Sequence, residues 1–409
     1  MRLKKRTARF LLGLGGLFIG LLLCEIGLRV VGFSHPRFFS TDRYRGIALR
    51  PNAEGSWREE GNAYVRINSA GLRDREHTKQ KPANTFRIAV LGDSFAEARQ
   101  VSIEDTFSAI LEKKFQGCPG LAGKHVEVIN FGVAGYGTAQ ELITLRREAW
   151  DYSPDLILLA ITPGNDIRDN SRALSQDGVR PFFIYRGDHL VLDDSMLEAR
   201  NRSLAYRFRV SSVGRGLEWF GQHSRVLQLL NEVRTSFEDR RILRKREEIA
   251  SRMKGPSPNI QMAEVGLDAM IYYEPTDPVW QDAWRVTEGT ITLMRYEAKS
   301  RGALFFVVTV SNGTQVTPDS AARQSFLQES GLKDLFYAER RIKALGERED
   351  FPVLNLAPVF QSYAEQRGVL LHGFGDTLGT GHWNQAGHQL AGEIISGWLC
   401  EEPAKGRQF

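Results

Sequence analysis

Five short apolar runs constrain this chain more than any other feature: FRIAVL (86–91), VEVIN (126–130), LILLAI (156–161), LFFVVTV (304–310) and VLNL (353–356). Each is short for a helix and mostly apolar without strict alternation, which predicts strands buried on both faces. Helical patterns stand between and after them, near 104–115, 138–150, 278–300, 325–346 and 384–399. Short strands alternating with helices predict a parallel sheet covered on both sides. Five of them fit a flavodoxin-like doubly wound α/β fold, in which functional groups gather beyond the C-terminal ends of the strands. The residues that carry chemistry are therefore expected immediately after the apolar runs.

The N-terminus has a different character. Residues 1–9 hold Arg2, Lys4, Lys5, Arg6 and Arg9 and no acid, and Phe10 to Cys24 is uncharged. Counting on to Phe33 gives a segment long enough to span a bilayer, with Glu25 and Arg29 at i,i+4 spacing to neutralise each other. A cleaved signal peptide and an uncleaved signal anchor both begin this way. Small residues at −3 and −1 of a cleavage point are not evident, and Leu23 before Cys24 fits a lipoprotein site poorly, which favours a transmembrane anchor over 10–33. The positive-inside rule then keeps the tip, 1–9, in the cytoplasm and sends the rest to the periplasm or exterior, as a single-pass protein of the cell membrane. Apart from those five residues, Lys+Arg and Asp+Glu are equal in number at 49, so the basic pI gives no argument for a nucleic-acid partner.

Residues 34–85 are polar with scattered Gly and Pro and are expected to form a stalk or small cap, with one strand at Tyr64–Asn68. The catalytic region is expected over 86–400, interrupted by an insertion at 168–277, with a tail at 401–409. The insertion carries a hairpin pattern over 182–192 and a helical, charge-rich stretch over 222–254 that ends in the turn GPSPN (255–259). Its basic run from Arg240 to Arg246 is flanked by acids and reads as a solvated helix face. From its position after the third strand, the insertion is expected to shape a substrate groove. Cys118 and Cys400 can pair or stay buried thiols, and no Cys/His cluster has zinc-ligand spacing, so no metal or other cofactor is expected.

The strand ends carry the chemistry. The first run leads into Gly92-Asp93-Ser94-Phe95, a serine at a strand end just before a helix. Taken alone it is an ordinary turn-and-cap sequence. The second leads into Asn130-Phe131-Gly132-Val133-Ala134-Gly135-Tyr136-Gly137-Thr138, whose glycines let backbone N–H groups approach a ligand. The third leads into Thr162-Pro163-Gly164-Asn165-Asp166, which offers an amide at the same sheet edge, and His382-Trp383-Asn384 with Gly387-His388 precedes and opens the last helix. Separately these are modest signals, but their order falls where the strand-end rule demands.

The constellation resembles the SGNH (GDSL-like) hydrolase superfamily, whose namesake residues map onto Ser94, Gly135, Asn165 and His382. The resemblance covers roughly 86–400 outside the insertion. The anchor and an Asn-x-x-Gly-x-Arg segment (Asn68, Gly71, Arg73) look like a bacterial exopolysaccharide- or envelope-associated branch. It implies a Ser94 nucleophile, a His382 base and an oxyanion hole of the Ser94 N–H, the Gly135 N–H and the Asn165 amide. One position departs from the pattern: Gly379 stands where the family usually has the Asp three residues before the histidine. The nearest acid, Asp376, is the expected triad member if the Gly-rich stretch 379–381 loops back; otherwise a Ser–His dyad or a backbone carbonyl orients the imidazole. The implied activity is an ester hydrolase acting outside the membrane on an acylated, above all acetylated, glycan or lipid. An O-acetyltransferase for an exported polysaccharide uses the same residues, and a non-catalytic binding module on the same fold is a third reading.

Overall fold

A computed structural model describes residues 2–121, 123–175, 179–234 and 267–402, with side chains from residue 9 onward. The apolar runs form β1 (Thr85–Gly92), β2 (His125–Asn130), β3 (Leu156–Ile161), β4 (Leu304–Thr309) and β5 (Val353–Asn355). They make one five-stranded sheet in the order β5-β4-β3-β1-β2, with every neighbouring pair parallel. This is the doubly wound, flavodoxin-like order expected from the sequence and implied by the SGNH resemblance. Val90 faces Asn130 across one pairing and Leu91 faces Leu159 across the other, so β1, β2 and β3 end at one rim.

In chain order the first helices are α1 (Arg2–Val30), α2 (Ser94–Glu97), α3 (Phe107–Phe115), α4 (Thr138–Arg147) and α5 (Pro163–Asp169). Then come α6 (Ser195–Arg202), α7 (Leu204–Arg209), α8 (Ser212–His223) and α9, described over 225–234. The rest are α10 (Pro278–Ser300), α11 (Gly313–Val316), α12 (Ser320–Ser330), α13 (Tyr337–Glu349), α14 (Leu356–Arg367) and α15 (Gln385–Glu401).

Successive side chains of a strand point to opposite faces, and in the central strands β1, β3 and β4 both sets are largely apolar and buried. Ala89, Leu91, Ile157 and Leu159 join Leu142 of α4, Met294 of α10 and Ile342 of α13 in one core. Ile88, Val90, Leu158 and Val308 join Leu111 of α3, Phe360 of α14 and Ile395 of α15 in the other. The sheet is thus covered on both sides, which is what continuous apolar strands require.

The helix expected over 325–346 is two helices. Gly331 takes a left-handed conformation (φ +64°) and the Leu332 N–H turns back to the Leu327 carbonyl, which closes α12 before α13 begins. The expected hairpin forms between Phe182–Arg186 and His189–Asp193, and the early strand is Ala63–Arg66. The basic run 240–246 and the turn 255–259 lie outside the described residues. Cys118 and Cys400 meet as neighbouring thiols; burial and the Cys118 side chain push the Cys400 thiol up to about 12.

The chain divides into two compact units. The larger takes in the described parts of Phe38–Ala53, Trp57–Asn201 and Ser257–Phe409, including the whole sheet. The smaller holds Met1–Arg37, Glu54–Ser56 and the described part of Arg202–Pro256. Its helix α1 has a 22-residue stretch, Arg9–Val30, of mean hydropathy 2.2 with none of it buried, long and apolar enough to cross a membrane.

Candidate active site

β1 delivers Ser94 to the rim through a tight turn. Gly92 packs where a Cβ would lie 2.9 Å from that of Ala96, and Asp93 caps α2 by accepting the Phe95 N–H at 3.0 Å. The Asp93 carboxylate also accepts from Thr162 Oγ1 (3.0 Å) and Asn165 Nδ2 (2.9 Å). It therefore ties the serine turn to the loop after β3. Asn165 stands in the first turn of α5, which Pro163 opens, and its Oδ1 is buried without a hydrogen-bond partner among the described residues. Burial raises the Asp93 pKa above the usual carboxylate range; bonds from Asn165 and the Phe95 N–H, the His382 charge and the Thr162 bond oppose it without cancelling it.

His382 stands two residues before Asn384, the cap of α15. Its Nε2 lies 2.7 Å from Ser94 Oγ and its Nδ1 lies 2.5 Å from Glu60 Oε2. The His382 backbone N–H donates to Glu60 Oε1 at 2.8 Å, so one carboxylate holds both the ring and the main chain of this residue. The Phe95 ring packs beside the imidazole, with centroids 5.0 Å apart. Burial works against ionisation of Glu60, but the bond to His382, its charge and its N–H, with Gln100 assisting, hold the Glu60 pKa below the ordinary value.

Glu60 is thus the acid at the imidazole, and the expectation for Asp376 is corrected. Asp376 is exposed in the single turn Gly375–Thr377. The Gly-rich stretch closes on its own backbone instead: Gly379 N–H donates to the His372 carbonyl (2.9 Å) and Gly373 N–H to that of His382 (2.8 Å). Room for Glu60 is made by Gly381, at φ +82°, where any side chain would run into Glu60 Oε1.

A second layer fixes this loop. The neutral ring of His372 is fully buried, and desolvation lowers its pKa to about 4. Its Nδ1 lies 2.7 Å from the Gly381 carbonyl and so carries the proton, leaving Nε2 to accept from Ser311 Oγ at 3.0 Å. Ser311 in turn accepts the Trp383 Nε1–H at 3.0 Å. The residues on either side of His382 are therefore pinned from below by one hydrogen-bond chain.

The glycines after β2 divide the work between them. Gly132 packs on Ala96, where a Cβ would sit 2.5 Å from that side chain, whereas Gly135 is exposed at φ +80° in the turn closed by the Tyr136 N–H and the Val133 carbonyl. Ala134 N–H donates to the buried Glu97 carboxylate (2.5 Å), and Arg180 donates to the Gly135 carbonyl (3.1 Å), so the turn is held from both sides. The Asn-x-x-Gly-x-Arg segment is a clamp. Asn68 Oδ1 accepts the Ala70 and Leu72 N–H groups, and Arg73, almost fully buried, donates to the carbonyls of Glu97 (2.9 Å) and Val101 (2.5 Å) behind α2.

No protein-family model matches the sequence, and no curated protein matches it. Among solved structures the chain is similar to an acetyl xylan esterase (9% identity, 77% of this chain and 98% of that one, TM-score 0.37). It is also similar to an acetylxylan esterase from Geobacillus stearothermophilus (10%, 78% and 94%, TM-score 0.35) and to a GDSL-like lipase from Bacteroides thetaiotaomicron (10%, 80% and 93%, TM-score 0.33). Likeness this loose assigns nothing by itself; the strand order and the Ser94–His382–Glu60 geometry stand on their own.

Proposed function

We propose that this chain is a serine ester hydrolase of the SGNH type, tethered by α1 and acting outside the cytoplasmic membrane on an acylated, most simply acetylated, glycan or lipid. The observation that carries this reading is the continuous line from Ser94 Oγ through both nitrogens of His382 to Glu60. A hydroxyl is a weak nucleophile until a base takes its proton, and a base serves best when its tautomer is fixed. Glu60 fixes it by accepting at Nδ1, which leaves the Nε2 lone pair directed at Ser94.

In the reaction, Ser94 Oγ bonds to the ester carbonyl carbon as its proton passes to His382 Nε2. The carbonyl electron pair moves onto oxygen, and the oxyanion accepts from the Ser94 N–H, the Gly135 N–H and the Asn165 amide. Loss of one such donor typically costs about 3 kcal/mol of transition-state stabilisation. The imidazolium returns the proton to the departing alkoxide and an acyl-serine remains. Water, deprotonated by His382, then releases the acid and restores Ser94. Glu60 stays ionised throughout and stabilises the imidazolium.

The test is hydrolysis of a small aryl acetate by the full-length protein. Ser94→Ala is expected to lower kcat by about 10⁴–10⁶-fold with the fold intact. Turnover by that variant at the wild-type rate would exclude the assignment.

A further inference from the structure

Part of the insertion is tied to α1. In the smaller unit, Glu25 of α1 accepts the backbone N–H groups of Arg225 (2.9 Å) and Val226 (3.0 Å), the first residues of α9, and the Ser224 hydroxyl (3.0 Å). Arg29 donates to the His223 carbonyl at the end of α8 (2.6 Å). The chain leaving α1 is gripped as well: the His35 N–H donates to Gln228, the Arg37 N–H to Gln222, and Arg225 to Ser34. The junction of α8 and α9 is therefore fixed to the outer end of α1. Glu25 is five residues before Val30, about 7.5 Å along a helix axis, so the junction lies within two turns of the end of the apolar stretch.

The helices fixed there expose apolar faces. Val213, Leu217 and Phe220 repeat at i, i+4 and i+7 along α8 and are 64%, 60% and 59% exposed, with Arg215, Glu218 and Gln222 on the opposite face. Leu204 and Phe208 of α7 and Leu230 of α9 are also exposed. Trp219 stacks on His223 (4.2 Å) beside the α1 contact, and tryptophan favours the headgroup level. Residues 202–234 carry six arginines against two glutamates. A cleft of about 280 Å³ is lined by Leu217, Leu227 and Leu230 together with Arg37, Glu218 and Arg234.

Exposed apolar side chains on a segment that is basic as a whole, 202–234, tied to the end of a helix apolar enough to span, fit an anionic lipid surface. We propose that α7 and α8 lie in the outer interface of the bilayer, with the 213–217–220 stripe toward the acyl chains and the arginines among anionic phospholipid headgroups. The inference rests on α1 being a membrane span and is independent of the catalytic assignment.

The test uses the full-length protein with its cysteines replaced, in nanodiscs of phosphatidylcholine and phosphatidylglycerol. A nitroxide is placed through Leu217→Cys, Phe220→Cys, Glu218→Cys or Arg215→Cys, with Leu17→Cys as the reference for the span. Labels at 217 and 220 are expected to collide with dissolved oxygen several-fold more often, relative to a water-soluble nickel chelate, than labels at 218 and 215. Equal, water-like collision at all four with Leu17→Cys in lipid would overturn the interfacial seat. Low access to both reagents at 217 and 220 would overturn it in favour of a protein partner such as a second copy. A water-like signal at Leu17→Cys would remove the span and the proposal with it. Hydrogen exchange on the unmodified protein is the check that needs no variant: amides of 204–223 are expected to exchange several-fold more slowly in these nanodiscs than in neutral detergent, and equal rates would count against the proposal.

Discussion

Two regions compete to supply the acid at the imidazole, and they differ in every local respect. The turn at Gly375–Thr377 is close to His382 in sequence, rich in glycine and holds an exposed carboxylate, yet it closes on its own backbone and leaves Asp376 in solvent. The segment around Glu60 is 322 residues from the histidine, precedes the first strand of the sheet and is still the one that reaches both Nδ1 and the backbone N–H. Proximity along the chain is a poor guide when a loop has its own hydrogen-bond closure. What decides is which carboxylate is held in place: Glu60 sits beside Gly61, at φ +75°, where any Cβ would meet the Gln100 carbonyl, and near Trp57, over which Arg99 stacks at 4.2 Å.

The comparison is most easily broken by exchanging the two acids. Glu60→Gln is expected to lower kcat on an aryl acetate by about 10²–10⁴-fold, because the amide no longer enforces the tautomer or stabilises the imidazolium. Asp376→Asn is expected to stay within about twofold, as for an ordinary surface change. Gly381→Ala tests the space that Glu60 needs. Adding a Cβ at φ +82° against that carboxylate is expected to cost about 1–3 kcal/mol in strain and displacement, seen as roughly a tenfold or greater loss of kcat. Ser311→Ala leaves the buried His372 Nε2 and Trp383 Nε1 without a partner, at about 1–3 kcal/mol of stability. Because Ser311 only positions the loop, a severalfold fall in kcat with KM unchanged is expected, and Ser311→Thr should rescue it.

The smallest effect is on stability against pH. The folded-state pKa of Glu60 is depressed, so the stabilisation it gives is present above its unfolded value, about 4.3, and is lost as pH falls through the lower folded value. Thermal melts of wild type and Glu60→Gln should therefore differ at neutral pH and converge in acid. A gap that widened as pH fell would contradict the assignment.

What the sequence revealed follows from the same contrast. The sheet was legible because strands buried on both faces are mostly apolar, with Arg87 of β1 buried against Glu127 of β2, and Ser94 and Asn165 stood out as candidates because they follow such strands within a few residues. Helix α14 was missed because its start lies against a three-residue strand, with Asn355 serving both. The break between α12 and α13 was missed because a single glycine closes the first helix. Glu60 lies in a polar stretch with no periodicity, among several other acids, and only the glycine at 379 hinted that the carboxylate comes from elsewhere. The Asn68–Arg73 segment was visible as a pattern, but its work, holding the back of α2 through a buried guanidinium, is visible only once the chain is folded.

The most direct measurement is the proton NMR resonance of His382 Nδ1–H, assigned by ¹⁵N-histidine labelling. A strongly downfield signal is expected in wild type, retained in Asp376→Asn and lost or shifted upfield in Glu60→Gln. A signal that survives Glu60→Gln but disappears in Asp376→Asn would place the acid in the other loop and contradict the account.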